Sequence, residues 1–292
     1  MVTSADRMVQ VDDGIALRAR DHRPDRPVDD ARPFLLVHGL SSNALLWDGV
    51  AARLAAAGHR SVAIDLRSHG RSDDSDDLTH ERIVEDLARV IELTDLGRPV
   101  VVGQSWGGNV VVELAAARPA SVTGVVAVDG GLITLSDRFP DVESCWAALA
   151  PPRFEGLRWA DLEAGIGART VGWPDGAARA QIGNLAPTAD GGVRAILTRE
   201  RHRSIVEQLY AHRPLERLAA LEVPMLLLAV TGGGARGVVE EERIDAARAA
   251  AGDRFRAVRL PGRDHDVHLQ EPATVTALML DWFAGRPLPD VA

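Results

Sequence analysis

The stretch VVVGQSWGGNVVVEL, residues 100–114, decides how this chain folds. Three valines read as a strand. Gly103, Ser105, Gly107 and Gly108 then mark a tight corner, and from Asn109 onward the spacing becomes helical. Gly-x-Ser-x-Gly between a strand and a helix puts the Ser on a strained turn, with its Oγ above the carboxyl edge of a sheet. Glycine on both sides leaves room for the turn and for close helix packing. The helix N-terminus brings backbone N–H groups and the positive dipole end near the hydroxyl, which favours a developing oxyanion. A blander reading has the Ser merely capping the helix in a Gly-rich turn. The strand before it and the helix after it favour an exposed nucleophile.

Outward from this corner, strands and helices alternate. RMVQVDDGIALRARD (7–21) reads as a hairpin turning near Asp13-Gly14, and PFLLVHGL (33–40) as a strand covered on both faces. Residues 47–60 form an Ala-rich helix ended near Gly58, and 61–73 a strand with a polar loop. Ile83, Leu87, Val90 and Ile91 give residues 79–97 helical spacing, stopped by Gly97. VTGVVAVDG (122–130) is a further strand. Repeated alternation argues for a mostly parallel sheet wrapped on both faces. The pattern breaks after Gly131, and no convincing strand follows until about Pro214. That segment is helix-like, interrupted by Pro and Gly, and holds Phe139, Trp146, Phe154, Trp159, Trp173 and Tyr210. It reads as a helical subdomain with its own core, or as a lid whose aromatics line a pocket. The α/β pattern resumes with strands at 223–231 and 255–262 and helices at 238–252 and 272–285.

Composition narrows the functions available. A chain of 292 residues can bury one large core with an inserted subdomain. Its net charge of −9 argues against a nucleic-acid partner. The single Cys145 excludes an internal disulfide and fits a reducing compartment. No apolar run approaches the roughly 18 residues of a membrane span. The expectation is a cytoplasmic protein acting on a small molecule, without a membrane partner; the sequence says nothing of its oligomeric state.

Four stretches together resemble the α/β-hydrolase superfamily: LLVHGLSSN (35–43), AIDLRSHGRSD (63–73, with Ser68 where Gly is usual), GQSWGG (103–108) and LPGRDHDVHLQEP (260–272). The resemblance covers nearly the whole chain. It implies an eight-stranded, mostly parallel sheet with a helical cap inserted after the sixth strand. The expected divisions are core residues 1–131, a cap at 132–215, and core residues 216–292. Ser105 matches the family's nucleophile. The resemblance assigns the oxyanion hole to the backbone N–H groups of Leu40 and Trp106. It assigns the base to His265, which has the usual offset from Glu271-Pro272, in preference to His268. His38 is expected to hold its own loop at the pocket side, with Trp146 and Trp159 as pocket residues. His202 and His212 are expected to be solvated or packed within the cap.

The acid departs from the commoner family pattern. No carboxylate follows the strand at 223–231 until Glu240, and Glu240 to Glu242 suit the first turn of a helix. A family variant places the acid after the sixth strand, where Asp129 stands. Asp129 is therefore preferred, with Glu240 or Glu241 as the alternative. GGGARG (232–237) fits a dinucleotide fingerprint but lacks the acid at the end of a following strand that such a site needs. No cofactor and no metal are expected. The expected activity is hydrolysis of an acyl bond by a serine nucleophile, with an ester or lactone first. Thioesters, C–C bonds, acyl transfer and a non-catalytic ligand-binding role stay open. Ser at position 105 speaks against dehalogenase branches, which the resemblance says use Asp there.

Overall fold

The computed structural model describes residues 3–12, 14–232 and 234–288. Its main sheet contains β1 (Thr3–Asp12), β2 (Ile15–Arg23), β3 (Phe34–Val37), β4 (Ser61–Ile64), β5 (Val100–Gln104) and β6 (Gly124–Val128). A small hairpin, β7 (Leu185–Pro187) and β8 (Val193–Ala195), intervenes before β9 (Met225–Thr231) and β10 (Phe255–Pro261) return to the main sheet. The order across the eight strands is β1-β2-β4-β3-β5-β6-β9-β10. β1 and β2 pair antiparallel, β2 joins β4 antiparallel, and every later pairing is parallel. This is the α/β-hydrolase architecture. Of the expected turn at Asp13-Gly14, Asp13 lies outside the described residues; Gly14 has φ 102°.

Alternation along the strands divides the core into two layers. Leu35, Val37, Val62, Ile64, Val101 and Val125 face α2 (His80–Leu93) and α3 (Trp106–Ala117). Phe34, Leu36, Ala63, Val100, Val102 and Val126 face α1 (Asp48–Ala56) and the C-terminal helix. β3 to β6 are buried at every position, which is why they read as unbroken apolar runs.

Between β6 and β9 the chain forms α4 (Val142–Leu149), α5 (Trp159–Arg169), α6 (Ala177–Ile182), α7 (Arg199–Ala211) and α8 (Pro214–Ala219). The hairpin β7–β8 corrects the expectation of a strand-free segment. Each strand has three residues, too few for a period to show, and the turn closes through Thr188 N–H to the Gly192 carbonyl at 3.1 Å. The remaining helices are α9 (Gly234–Ala251), α10 (Val267–Gln270) and α11 (Pro272–Phe283). α9 starts earlier than expected, at Gly234, so Glu240 to Glu242 lie beyond its first turn. Of GGGARG, Gly233 and the side chains of 234–237 lie outside the described residues. Among the described residues no helix is long and apolar enough to cross a membrane.

Candidate active site

Ser105 stands alone between β5 and α3, at φ 54° and ψ −126°. A non-glycine residue at such angles costs on the order of 1–3 kcal/mol and persists only where its surroundings enforce it. They do so here. Ser105 N–H donates to the Val128 carbonyl at 3.0 Å, and the Ser105 carbonyl accepts from Gly108 N–H at 2.9 Å. A Cβ on Gly103 would lie 2.1 Å from the Gly107 oxygen, and one on Gly107 would lie 2.4 Å from the His38 oxygen. Strand, helix and the neighbouring loop therefore meet only because both positions lack side chains.

Asp129 follows β6 directly, at φ 44°, with its N–H bonded to the Leu228 carbonyl at 2.8 Å. Its Oδ2 accepts from His265 Nδ1 at 2.5 Å. The two side chains that meet there differ in exposure: that of Asp129 is 8% exposed and that of His265 52%. Gln104, next to Ser105, donates through Nε2 to the His265 carbonyl at 3.2 Å, tying the β10–α10 loop to the corner. His268 lies elsewhere. It is wholly buried, its ring 4.4 Å from that of Trp47, and burial pushes it down to about 3. Glu241 is engaged by Arg259 at 2.6 Å and 2.5 Å, which lowers its carboxyl below the usual range. Glu240 lies on the wall of the cavity described next.

Ser105, His265, Asp129, Leu40 and Trp106 all line one cavity of about 710 Å³. Leu40 and Trp106 flank the Ser105 corner from two directions, the β3 loop and the first residue of α3. Helix starts leave backbone N–H groups without intrahelical acceptors, so the Trp106 amide is available there. His38 is not on this wall, contrary to expectation. Its Nδ1–H donates to the Gly39 carbonyl at 2.7 Å and its Nε2 accepts from Leu66 N–H at 3.0 Å. With both nitrogens used and the ring fully buried, burial holds it down at about 4, neutral.

The expected aromatic lining is also overturned. Trp146 lies under two guanidinium groups, 4.9 Å from Arg199 and 5.7 Å from Arg203, and Trp159, the first residue of α5, is not on this wall. Apart from Trp106, the apolar walls are aliphatic: Leu132, Ile133, Leu135, Leu149, Leu209 and Val239. Aromatic content alone could not show this, because a tryptophan can serve the seam between two segments as well as a pocket.

Two histidines from the segment between β6 and β9 reach the core rather than staying in their own segment. His202 on α7 lines the cavity, and its Nδ1 hydrogen-bonds Ser41 Oγ at 2.8 Å. Ser41 follows Leu40 at φ 54° and also donates its N–H to His69 Nε2 at 3.3 Å. Burial pushes His202 down to about 4. His212, just past α7, accepts from Asn109 Nδ2 at 3.0 Å and donates to Glu113 Oε2 at 3.2 Å; both partners sit on α3. Trp106 Nε1 donates to His80 Nε2 at 3.3 Å. No local sequence pattern pairs residues 161 or 103 positions apart.

Known proteins complete the comparison. Residues 34–278 match the model of the Alpha/beta hydrolase family. A haloalkane dehalogenase of Psychrobacter cryohalolentis is 36% identical over 41% of this chain and 40% of its own length. An sn-1-specific diacylglycerol lipase of Danio rerio is 32% identical over 35% of this chain and 32% of its own. The chain thus spans less than half the length of either curated relative. Among solved structures, E-2-(acetamidomethylene)succinate hydrolase superposes with a TM-score of 0.73 at 22% identity, over 97% of this chain and 100% of that one. The enol-lactonase of Burkholderia xenovorans gives 0.65 at 17% identity, over 95% and 100%. At these identities the structures speak for the fold. The strand–Ser–helix corner, the eight-stranded sheet and the match over 34–278 agree: this chain belongs to the alpha/beta hydrolase family.

Proposed function

We propose that the chain is a serine hydrolase that cleaves an acyl bond, an ester or lactone first. The observation that supports it is the 2.5 Å hydrogen bond between His265 Nδ1 and Asp129 Oδ2, on the wall of the cavity that Ser105 also lines. With Nδ1–H given to Asp129, the His265 Nε2 is the basic nitrogen. It takes the Ser105 proton as Oγ attacks the substrate carbonyl carbon. The Leu40 and Trp106 amides hold the oxyanion. His265 then returns the proton to the leaving oxygen, and the carbon–oxygen bond breaks to give an acyl-serine. A water, deprotonated by His265, attacks that acyl group, and collapse releases the acid and restores Ser105. Residues 132–215 act as the cap that closes the cavity.

Serine also argues chemically for acyl rather than carbon–halogen bonds. Displacing a halide with Oγ would leave an alkyl ether on Ser105, which water does not cleave under these conditions. An acyl-serine is an ester and turns over.

A fluorophosphonate probe tests this reading, because it labels only an activated serine. Labelling at Ser105, abolished in Ser105→Ala and in His265→Ala, is expected. A screen over p-nitrophenyl esters of graded length and over lactones then separates the bond types. An unlabelled Ser105 together with no turnover across the screen would leave a ligand-binding member of the fold.

A further inference from the structure

Two arginines face the cavity that holds Ser105 and His265, and the hydrolytic scheme uses neither. They come from different parts of the chain. Arg138 closes the short turn Leu135–Asp137, while Arg243 lies on α9. One bond ties their two segments together beside the cavity: Arg243 Nη2 donates to the Thr134 carbonyl, 3.4 Å away, on the segment that carries Arg138. Arg138 is exposed, with its guanidinium 5.9 Å from the Phe139 ring. Neither has an ion-pair partner among the described residues, in a chain with 42 acidic residues to 33 basic ones. Two carboxylates share the wall. Asp129 is turned to His265, and Glu240 sits one turn before Arg243 on the same helix. Besides Ser105, Trp106 and the rings of His202 and His265, most of the remaining wall is aliphatic. Guanidinium forks keep most of their N–H donors unused here, and their planar geometry matches a carboxylate.

We infer that the acyl substrate bears a free carboxylate, which Arg138 and Arg243 hold at the rim. Its hydrocarbon portion lies along Leu132, Leu135 and Leu209, and its scissile carbonyl sits at Ser105. This rests on the proposed acyl chemistry and adds the substrate class to it. A neutral lipid-like ester would gain nothing from two charged groups that must shed water to meet it.

The test compares two activated esters of equal carbon length, the p-nitrophenyl monoester of glutaric acid and p-nitrophenyl pentanoate. The anionic ester is expected to lead in kcat/KM by at least about tenfold. That preference should fall by about 10–100-fold in the Arg138→Gln/Arg243→Gln double variant. Arg138→Gln alone, at an exposed position, should lose part of it and guards against a folding failure in the double variant. Arg89→Gln, an exposed residue of α2 paired with Glu92, should keep the ratio and controls for long-range attraction. Equal or reversed preference, or a ratio that survives the double variant, overturns the inference. If neither ester is cleaved and the fluorophosphonate leaves Ser105 unlabelled, the acyl-hydrolase reading fails first. Calorimetry with glutarate then decides the anion site by itself. Binding that is lost in the double variant keeps the site, and no glutarate binding ends it.

Discussion

α3 and α5 have nearly the same length but opposite characters. Ten residues of α3, from Trp106 to Ala115, are buried, while in α5 only Ile166 is. The first helix is clamped between the sheet and α2, and its start holds Ser105. The second lies in the segment between β6 and β9 and touches little. Cores packed on all sides transmit a change of even one atom, whereas thinly packed elements absorb it. Chemistry is therefore expected to be concentrated at the sheet edge, and tolerance in the inserted segment. Mutations at graded distances from Ser105 can break that contrast.

Ser105→Ala gives the largest effect. It removes one hydroxyl and keeps the backbone bonds to Val128 and Gly108, so the melting temperature should hold while kcat falls by ~10⁴-fold or more. Activity within tenfold of the parent, on any ester the parent cleaves, moves the nucleophile elsewhere. Asp129→Asn should follow, at ~10³–10⁴-fold in kcat, because the amide no longer fixes the Nδ1–H tautomer of His265. Glu241→Gln, which loses only its pair with Arg259, should leave kcat nearly intact. If the two carboxylates trade places in this ranking, the acid comes from α9.

The sequence made the sheet edge readable because its signals are local. Period changes at 104–109 mark the corner, and the continuous apolar runs of β3 to β6 mark strands buried on both faces. The family resemblance points to His265 through its offset from Glu271-Pro272 and to Asp129 through its place after an apolar strand, and the two side chains do meet. Other features have no local signature. Nothing in HGLSSN tells that His38 spends both nitrogens on Gly39 and Leu66, and nothing near 202 tells that the ring meets Ser41. These pairings arise only when the inserted segment docks. The same holds for Trp146, whose place between Arg199 and Arg203 depends on how α4 meets α7.

His202 is where the contrast should blur. It belongs to α7 by sequence and to the Leu40–Ser41 loop by contact. His202→Ala and Ser41→Ala should each lower kcat by about tenfold, a fraction of the 10²–10³ that loss of a whole oxyanion donor costs. The double variant should be little worse than either, since both cut the same bond. Additive losses would separate the two residues.

Acid should affect the packed region next. Burial holds His38 and His80 at about 4 and His69 and His268 at about 3, all below their ordinary value. Unfolding frees each to bind a proton near pH 6.5, so the unfolded state takes up more protons between that value and the folded one. Stability is then full above about pH 6.5 and falls as pH drops toward 4. Melting temperatures measured from neutral to mildly acidic buffer should decline steadily. A flat profile over that range would mean these rings protonate in place.

Trp146→Ala should have the smallest effect, and it tests the inserted segment directly. The ring is half-buried, stacked beneath Arg199 and Arg203 and 5.9 Å from His202, and it is absent from the cavity wall. Exposed cation–π contacts contribute about 0.5–1 kcal/mol each, so the melting temperature should drop slightly. Preference among acyl lengths should not move, because no substrate atom meets the indole. Leu209→Ala supplies the contrast, since Leu209 is on the wall and its loss should shift that preference by about 1–3 kcal/mol. If Trp146→Ala changes chain-length preference as much as Leu209→Ala does, the seam between α4 and α7 shapes the pocket from behind. The inserted segment would then be no more tolerant than the sheet edge it covers.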